Sequence, residues 1–258
     1  MIEEPYRWME AIANRREYIE NQLATGSPIV ALTFRDGILL FTLGRERQKV
    51  FEIYDRIGMG GIGHPGDIER LRMAAIELTS TEGFARSAFD VSLRRLATYS
   101  LSPALKAAFE QIYGAPYLAR LLFAELGRAG APNQFLRLDY DGSIHTNGGA
   151  FGRGFEDFGV ISGAHASMTR MEQRLREQCK PEAALPEAAR VALDAWAAGH
   201  LALQEDEAEP SAEQLSAHAQ ESLASAGIEA AVLDKNALVP VTWRTLADAE
   251  IRPLLQTR

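Results

Sequence analysis

The stretch GSPIVALTFRDGILLFT, residues 26–42, decides the fold. Pro28 to Phe34 is a short apolar run, Arg35-Asp36-Gly37 is a turn signal, and Ile38 to Thr42 is a second apolar run. An Asp-Gly between two such runs predicts a β-hairpin, because the glycine supplies the positive φ that a tight turn needs. Downstream, Val50 to Ile53, a turn at Asp55-Arg56 and the glycine-rich run from Ile57 to Gly63 predict a second strand pair. Upstream, residues 7–23 predict an amphipathic helix. Met9, Ile12, Ile19 and Leu23 fall on one stripe, Pro5 lies just ahead, and Gly26 follows as a stop signal.

His64-Pro65-Gly66-Asp67 opens the next helix, with Ile68, Leu71, Ala75 and Leu78 at three- and four-residue spacing and Asp67 as N-cap or first-turn acid. A further helix is expected from about Asp90 to Tyr113, kinked or broken by Pro103. Strands are expected over Tyr117 to Glu125, Gln134 to Asp139 and Phe158 to Ile161, with Tyr140-Asp141-Gly142-Ser143 as the turn between two of them. Helices over about 166–179 and 186–202 follow. The acidic Glu205-Asp206-Glu207 with Glu209-Pro210 reads as a solvated loop, and 203–226 as a low-order insertion. Ala230 to Asp234 is a strand, and Thr245 to Gln256 a closing helix weakened by Pro253. Strands bunched between helical pairs suit two packed sheets with helices on both outer faces, an α+β class. Strict βαβ alternation is absent, which disfavours a doubly wound nucleotide-binding fold.

The 258 residues include 27 basic and 35 acidic side chains, a formal charge of −8. Phosphates repel an acidic chain without a basic stripe, so no nucleic-acid partner is expected. Cys179 is the single cysteine, in the helical pattern MEQRLREQCK. It reads as a structural thiol, and with no disulfide framework a reducing, cytoplasmic compartment is expected. The first residues are acidic with no long apolar core, so no secretory signal is expected, and no stretch approaches a membrane span. The histidines His64, His145, His165, His200 and His218 show no metal-ligand spacing with one another or with Cys179, so no metal is expected and each reads as solvated or capping. Gly58-Met59-Gly60-Gly61-Ile62-Gly63 lacks the lysine of a phosphate loop. A strand packed closely against another layer accounts for the glycines better, and no cofactor is expected.

The stretch EIYDRIGMGGIGHPGDIERLR, Glu52 to Arg72, resembles the alpha-type proteasome subunits of actinobacteria. The resemblance continues at Thr81-Glu82-Gly83-Phe84, at Tyr140-Asp141-Gly142-Ser143-Ile144 and at Ala231-Val232-Leu233-Asp234, in element order from about Tyr6 to Leu255. It implies a four-layer αββα sandwich of two packed antiparallel sheets, preceded by an N-terminal helix. Residues 1–26 would be a gate segment and pore-side helix, and 27–258 a single sandwich domain. The resemblance also implies a seven-membered outer ring of identical chains, capping rings of catalytic beta subunits and gating entry to a proteolytic chamber. Met1, Ile2, Glu3, Glu4, Pro5 and Tyr6 would be gate residues. Lys49 would line a pocket that takes the C-terminal carboxylate of a ring-ATPase activator's tail, a role suited to a compact ammonium on a flexible stem. The bland alternative is a lysine exposed at a strand end.

Catalytic relatives begin at a processed threonine whose hydroxyl attacks and whose own amine is the base. Ser27 falls at that junction. Three features set it apart. It follows a 26-residue segment that reads as a packed helix, so no free amine is liberated. The family's catalytic aspartate falls at about Leu43. Pro28 restricts Ser27 to extended geometry, which suits strand entry. The expectation is therefore a non-catalytic subunit. The alternatives are a self-processing N-terminal-nucleophile hydrolase using Ser27, or a ring-forming paralogue that acts only as a binding module. Tyr54-Asp55-Arg56 reads as a turn, with a ring-interface salt bridge as the other option.

Overall fold

The computed structural model describes residues 4–44, 47–111, 113–128, 130–146, 157–204 and 210–256. Helix α1 (Glu4–Leu23) leads into β1 (Ile29–Phe34), β2 (Gly37–Gly44), β3 (Val50–Tyr54) and β4 (Ile57–Gly63), then α2 (Pro65–Ala85). A single helical path follows, made of α3 (Leu93–Arg95), a π-helical turn (Leu96–Leu101) and α4 (Ser102–Glu110). The π turn stands directly before Pro103, whose missing N–H and bulky ring an α-helical ladder does not accommodate. Then come β5 (Ala119–Glu125), β6 (Gln134–Leu138), β7 (Ile144–His145), β8 (Phe158–Ile161), α5 (His165–Gln178), α6 (Leu185–Leu201), α7 (Ala212–Ser225), β9 (Gly227–Asp234), β10 (Trp243–Leu246) and α8 (Asp248–Gln256).

Two five-stranded sheets form, ordered β10-β9-β2-β1-β8 and β3-β4-β5-β6-β7, with antiparallel neighbours throughout. The hairpin predicted over residues 28–42 is present, with Val30 opposite Phe41 and Phe34 opposite Gly37. Its alternation sorts side chains onto two faces. Val30, Leu32, Leu39 and Phe41 face α5, α6, α7 and α8, whereas Ile29, Ala31, Ile38 and Leu40 face the second sheet. The outer face of that sheet, with Met59, Leu121, Phe123 and Leu136, is covered by α2 and the π-turn helix. The αββα sandwich is thus observed.

The glycines of β4 are explained by approach rather than by ligand chemistry. A Cβ at Gly60 would stand 2.9 Å from Ile29 Cγ2, and one at Gly61 would stand 2.9 Å from Ile68 Cγ2. The strand is therefore squeezed between the opposite sheet and α2, where only hydrogen fits.

Four expectations need correction. Residues 203–226 are no low-order insertion where described. Residues 212–225 form α7, opened by a reciprocal capping box in which Gln214 N–H donates to Ser211 Oγ and Ser211 N–H to Gln214 Oε1. Leu215, Ala219 and Leu223 bury its apolar face, and the Glu205–Glu209 run lies outside the described residues. Second, β8 does not follow the Tyr140–Ser143 turn in its own sheet. That turn leads to the short β7, while β8 pairs with β1 across the sandwich. Third, Thr245 belongs to β10, and the closing helix starts only at Asp248. The stripe on α1 is also shorter than expected, since Ile19 and Leu23 are fully buried but Met9 is exposed.

Arg120 on β5 joins the layers. Its guanidinium pairs with Asp139, donates to the carbonyls of Ser162 (2.8 Å) and Gly163 beyond β8, and reaches Glu20 on α1 at 3.2 Å. Glu20 also accepts from Tyr140 Oη at 2.7 Å. Burial alone would push the Asp139 carboxyl up, but the His145 imidazole and the guanidinia of Arg120 and Arg137 outweigh it and hold it at about 2. Arg120→Met leaves Asp139 to Arg137 and His145 alone, and urea denaturation is expected to report a loss at the lower end of about 3–5 kcal/mol. Because the folded carboxyl titrates below its unfolded range, the stability from Asp139 is complete above about pH 4 and is lost toward pH 2. Asp139→Asn is expected to flatten that part of the acid-unfolding profile.

Candidate functional site

Gly26 N–H closes α1 on Leu23 O at 2.7 Å, and the chain then enters β1 through Ser27 and Pro28. Beside this junction, the link from β2 to β3 delivers Lys49. Ser27 and Lys49 line one pocket of about 550 Å³, walled by Leu23, Gly26, Phe51 and Ile62. Arg47 and Glu69 also border it. The Lys49 ammonium donates to the Ser27 hydroxyl, which donates onward to Leu43 O at 3.3 Å. Lys49 is therefore half-buried in a pocket and not a free strand-end cation.

Burial pushes the Lys49 ammonium below its ordinary range, and the Glu229 carboxylate works against that shift. Glu229, on β9, accepts from the backbone amides of Lys49 at 2.8 Å and Val50 at 2.7 Å. Burial raises its own pKa, opposed by those two amides and by Lys49. Sequence reading missed Glu229 entirely. The strand was expected to begin at Ala230, and nothing local links it to a lysine 180 positions away.

Other expected features fall as follows. Leu43, where a catalytic aspartate would stand, is a buried core side chain. Arg56 is engaged within the chain, pairing with Glu125 at 3.0 Å. Asp67 sits in the first turn of α2, where its carboxylate accepts from Leu118 N at 3.0 Å, and His64 holds the N-cap position. Of the gate residues, Met1, Ile2 and Glu3 lie outside the described residues, while Glu4, Pro5 and Tyr6 form the first turn of α1.

His200 and His218 are not separately solvated or capping. Helices α6 and α7 bring them together, Nδ1 to Nε2 at 2.8 Å, with Trp196 stacked on His200 at 4.6 Å. Burial, then His218 and Lys49, push His200 down to about 4, so the pair stays neutral at physiological pH. Among the described residues no group of three or more metal-ligating side chains is present, and no described helix is long and apolar enough to cross a membrane.

Two antiparallel sheets packed between helical layers make an αββα sandwich, in which a serine hydroxyl and a lysine ammonium meet at the head of β1. The chain belongs to the proteasome-subunit family, whose profile, described as Proteasome subunit, matches residues 23–209. It is 31% identical to the proteasome subunit alpha of Parafrankia sp. (strain EAN1pec) over 88% of this chain and 84% of that one. It is 31% identical to the proteasome subunit alpha of Mycobacterium marinum (strain ATCC BAA-535 / M) over 96% of this chain and 85% of the relative. For Frankia casuarinae the figure is 33%, over 74% and 75%. Its resemblance within the family is thus to alpha subunits.

Cys179 is half-buried, and burial, with the nearby Asp157 carboxylate, drives its thiol up to about 12. It is expected to resist Ellman's reagent in the native chain at pH 7.5 and to react fully in guanidinium, because the thiolate is the reacting form.

Proposed function

We propose that the chain is a non-catalytic alpha-type subunit of a cytoplasmic bacterial proteasome core. Its copies form a seven-membered outer ring, residues 1–26 supply the gate and pore-side helix, and the ring caps catalytic beta subunits. One observation carries the non-catalytic reading. Ser27 stands behind a helix that is fastened to the body rather than held as a disposable leader. Besides the Glu20 contacts, Arg15 of α1 donates to the carbonyls of Phe109 at 2.9 Å and Gln111 at 2.8 Å, where α4 ends. The Ser27 nitrogen is then a peptide nitrogen and cannot serve as the base that an N-terminal nucleophile uses.

Lys49 is proposed to anchor the C-terminal carboxylate of an activator's tail. An ammonium in a pocket walled by Leu23, Phe51 and Ile62, with Arg47 and Glu69 at its border, sets a positive charge beside apolar surface, which fits a chain terminus with an apolar side chain. Energy for substrate unfolding would come from that separate ATPase. The contact between Lys49 and the Ser27 hydroxyl favours the second reading, a hydrolase that processes itself at Ser27.

The intact mass of the purified, assembled chain separates the two. We expect residues 1–26 to be retained, and a chain beginning at Ser27 overturns the non-catalytic reading. Lys49→Ala is expected to leave ring assembly with a beta partner intact and to abolish activator-stimulated proteolysis. Unchanged stimulation removes Lys49 from the docking site.

A further inference from the structure

Lys49 reaches its pocket from a short link, and one carboxylate holds that link. Both oxygens of Glu229 lie within hydrogen-bond distance of the Lys49 amide, at 2.8 and 3.0 Å, and Oε1 also takes the Val50 amide at 2.7 Å. This bond joins β9 of one sheet to the start of β3 in the other. A side chain that takes two consecutive backbone amides fixes both the position and the direction of the residue between them. The same carboxylate lies close enough to act on the Lys49 charge, yet among the described residues no ion pair of 4.0 Å or less joins the two groups, and the ammonium points to Ser27 instead.

We propose that Glu229 is the positioning residue of the pocket: it tethers the Lys49–Val50 backbone to β9 and sets an opposite charge near the pocket lysine. The proposal rests on the reading of Lys49 as a carboxylate anchor and extends it to a residue outside the pocket lining. Every group facing Lys49 enters the balance. His200 on α6 acts on it but stays neutral above about pH 4, Arg47 and Glu69 border the pocket, and Ser27 is uncharged. Glu229 is the carboxylate whose charge acts most directly on Lys49. The carboxylate is spent on amides, so among the described residues the Ser27 hydroxyl is the hydrogen-bond partner that an incoming carboxylate would displace from the ammonium.

The test uses the full chain carrying [15N]lysine, with Lys49→Arg assigning the Lys49 ammonium signal against Lys106, Lys180 and Lys235. Glu229→Gln keeps an oxygen for the amides but removes the charge. The Lys49 titration midpoint is expected to fall by about 0.5–1 unit, because an opposite charge favours the protonated lysine. Hydrogen exchange at the Lys49 and Val50 amides is expected to stay slow. Glu229→Ala is expected to lower the midpoint and also to speed exchange at those two amides at least tenfold. If Glu229→Ala does not fold, Glu229→Gln alone still decides the electrostatic part. An unmoved midpoint in Glu229→Gln, or unchanged exchange in a folded Glu229→Ala, overturns the proposal.

Binding of the peptide acetyl-Gly-Leu-Ala, as free acid and as C-terminal amide, adds a readout that a purely structural role does not move. In Glu229→Gln the alkaline limit of free-acid binding is expected to shift to lower pH, whereas loss of packing weakens binding by one factor at every pH. Equal binding of acid and amide to the unsubstituted chain defeats the carboxylate-anchor reading, while the lysine titration still decides the role of Glu229.

Discussion

A single buried guanidinium holds the architecture in register. Arg120 leaves β5, crosses the gap between the sheets to the carbonyls that follow β8, and meets carboxylates from the end of β6 and from α1. Only 4% of its side chain is exposed, so its charge has little water to fall back on and must be satisfied by those partners. That requirement makes α1 part of the body. Glu20 serves Arg120 and Tyr140 together, and Ile19 and Leu23 fill the space beside Phe109 and Tyr140. A leading segment docked by both charge and apolar contact is costly to release, and the character of the junction at Ser27 follows from it.

On the proposed reading, little separates a cutting site from a docking site at this junction. A hydroxyl and a lysine meet at the head of β1 at the edge of an open pocket, an arrangement suited to nucleophilic chemistry. Three things redirect it. The Ser27 nitrogen is tied into a peptide bond, a leucine core residue stands where an acid would be needed, and the lysine's backbone is pinned by Glu229 from the opposite sheet. On the proposed reading, what is left is a positive charge held among apolar walls, a recognition element rather than a base.

How much of this was legible beforehand depends on the range of the interaction. The hairpin over residues 28–42 could be read because turn chemistry and alternation are local. The role of the β4 glycines could be read for the same reason, and the contacts at Gly60 and Gly61 supply its physical content. Helix α7 carried its own signal, a Ser-x-x-Gln capping box ahead of Leu215, Ala219 and Leu223, but the acidic run before it drew attention to solvation. Strand β10 was harder. Trp-Arg-Thr-Leu is short and polar on one side, and it becomes a strand only by pairing with β9.

By itself, the sequence determined the class of fold, the helix ahead of the first strand, and the presence of a serine and a lysine near the head of the sandwich. Each of these is encoded in neighbouring residues through periodicity, turn chemistry or a motif. Tertiary structure decided which groups meet. It brought Glu229 to the amides of Lys49 and Val50 across 180 and 179 positions, and Glu20 to Arg120 across 100. It also set His200 against His218 between two helices. Burial decided the charge behaviour of these groups, since desolvation depends on which layers close over a side chain and leaves no mark in its neighbours along the chain.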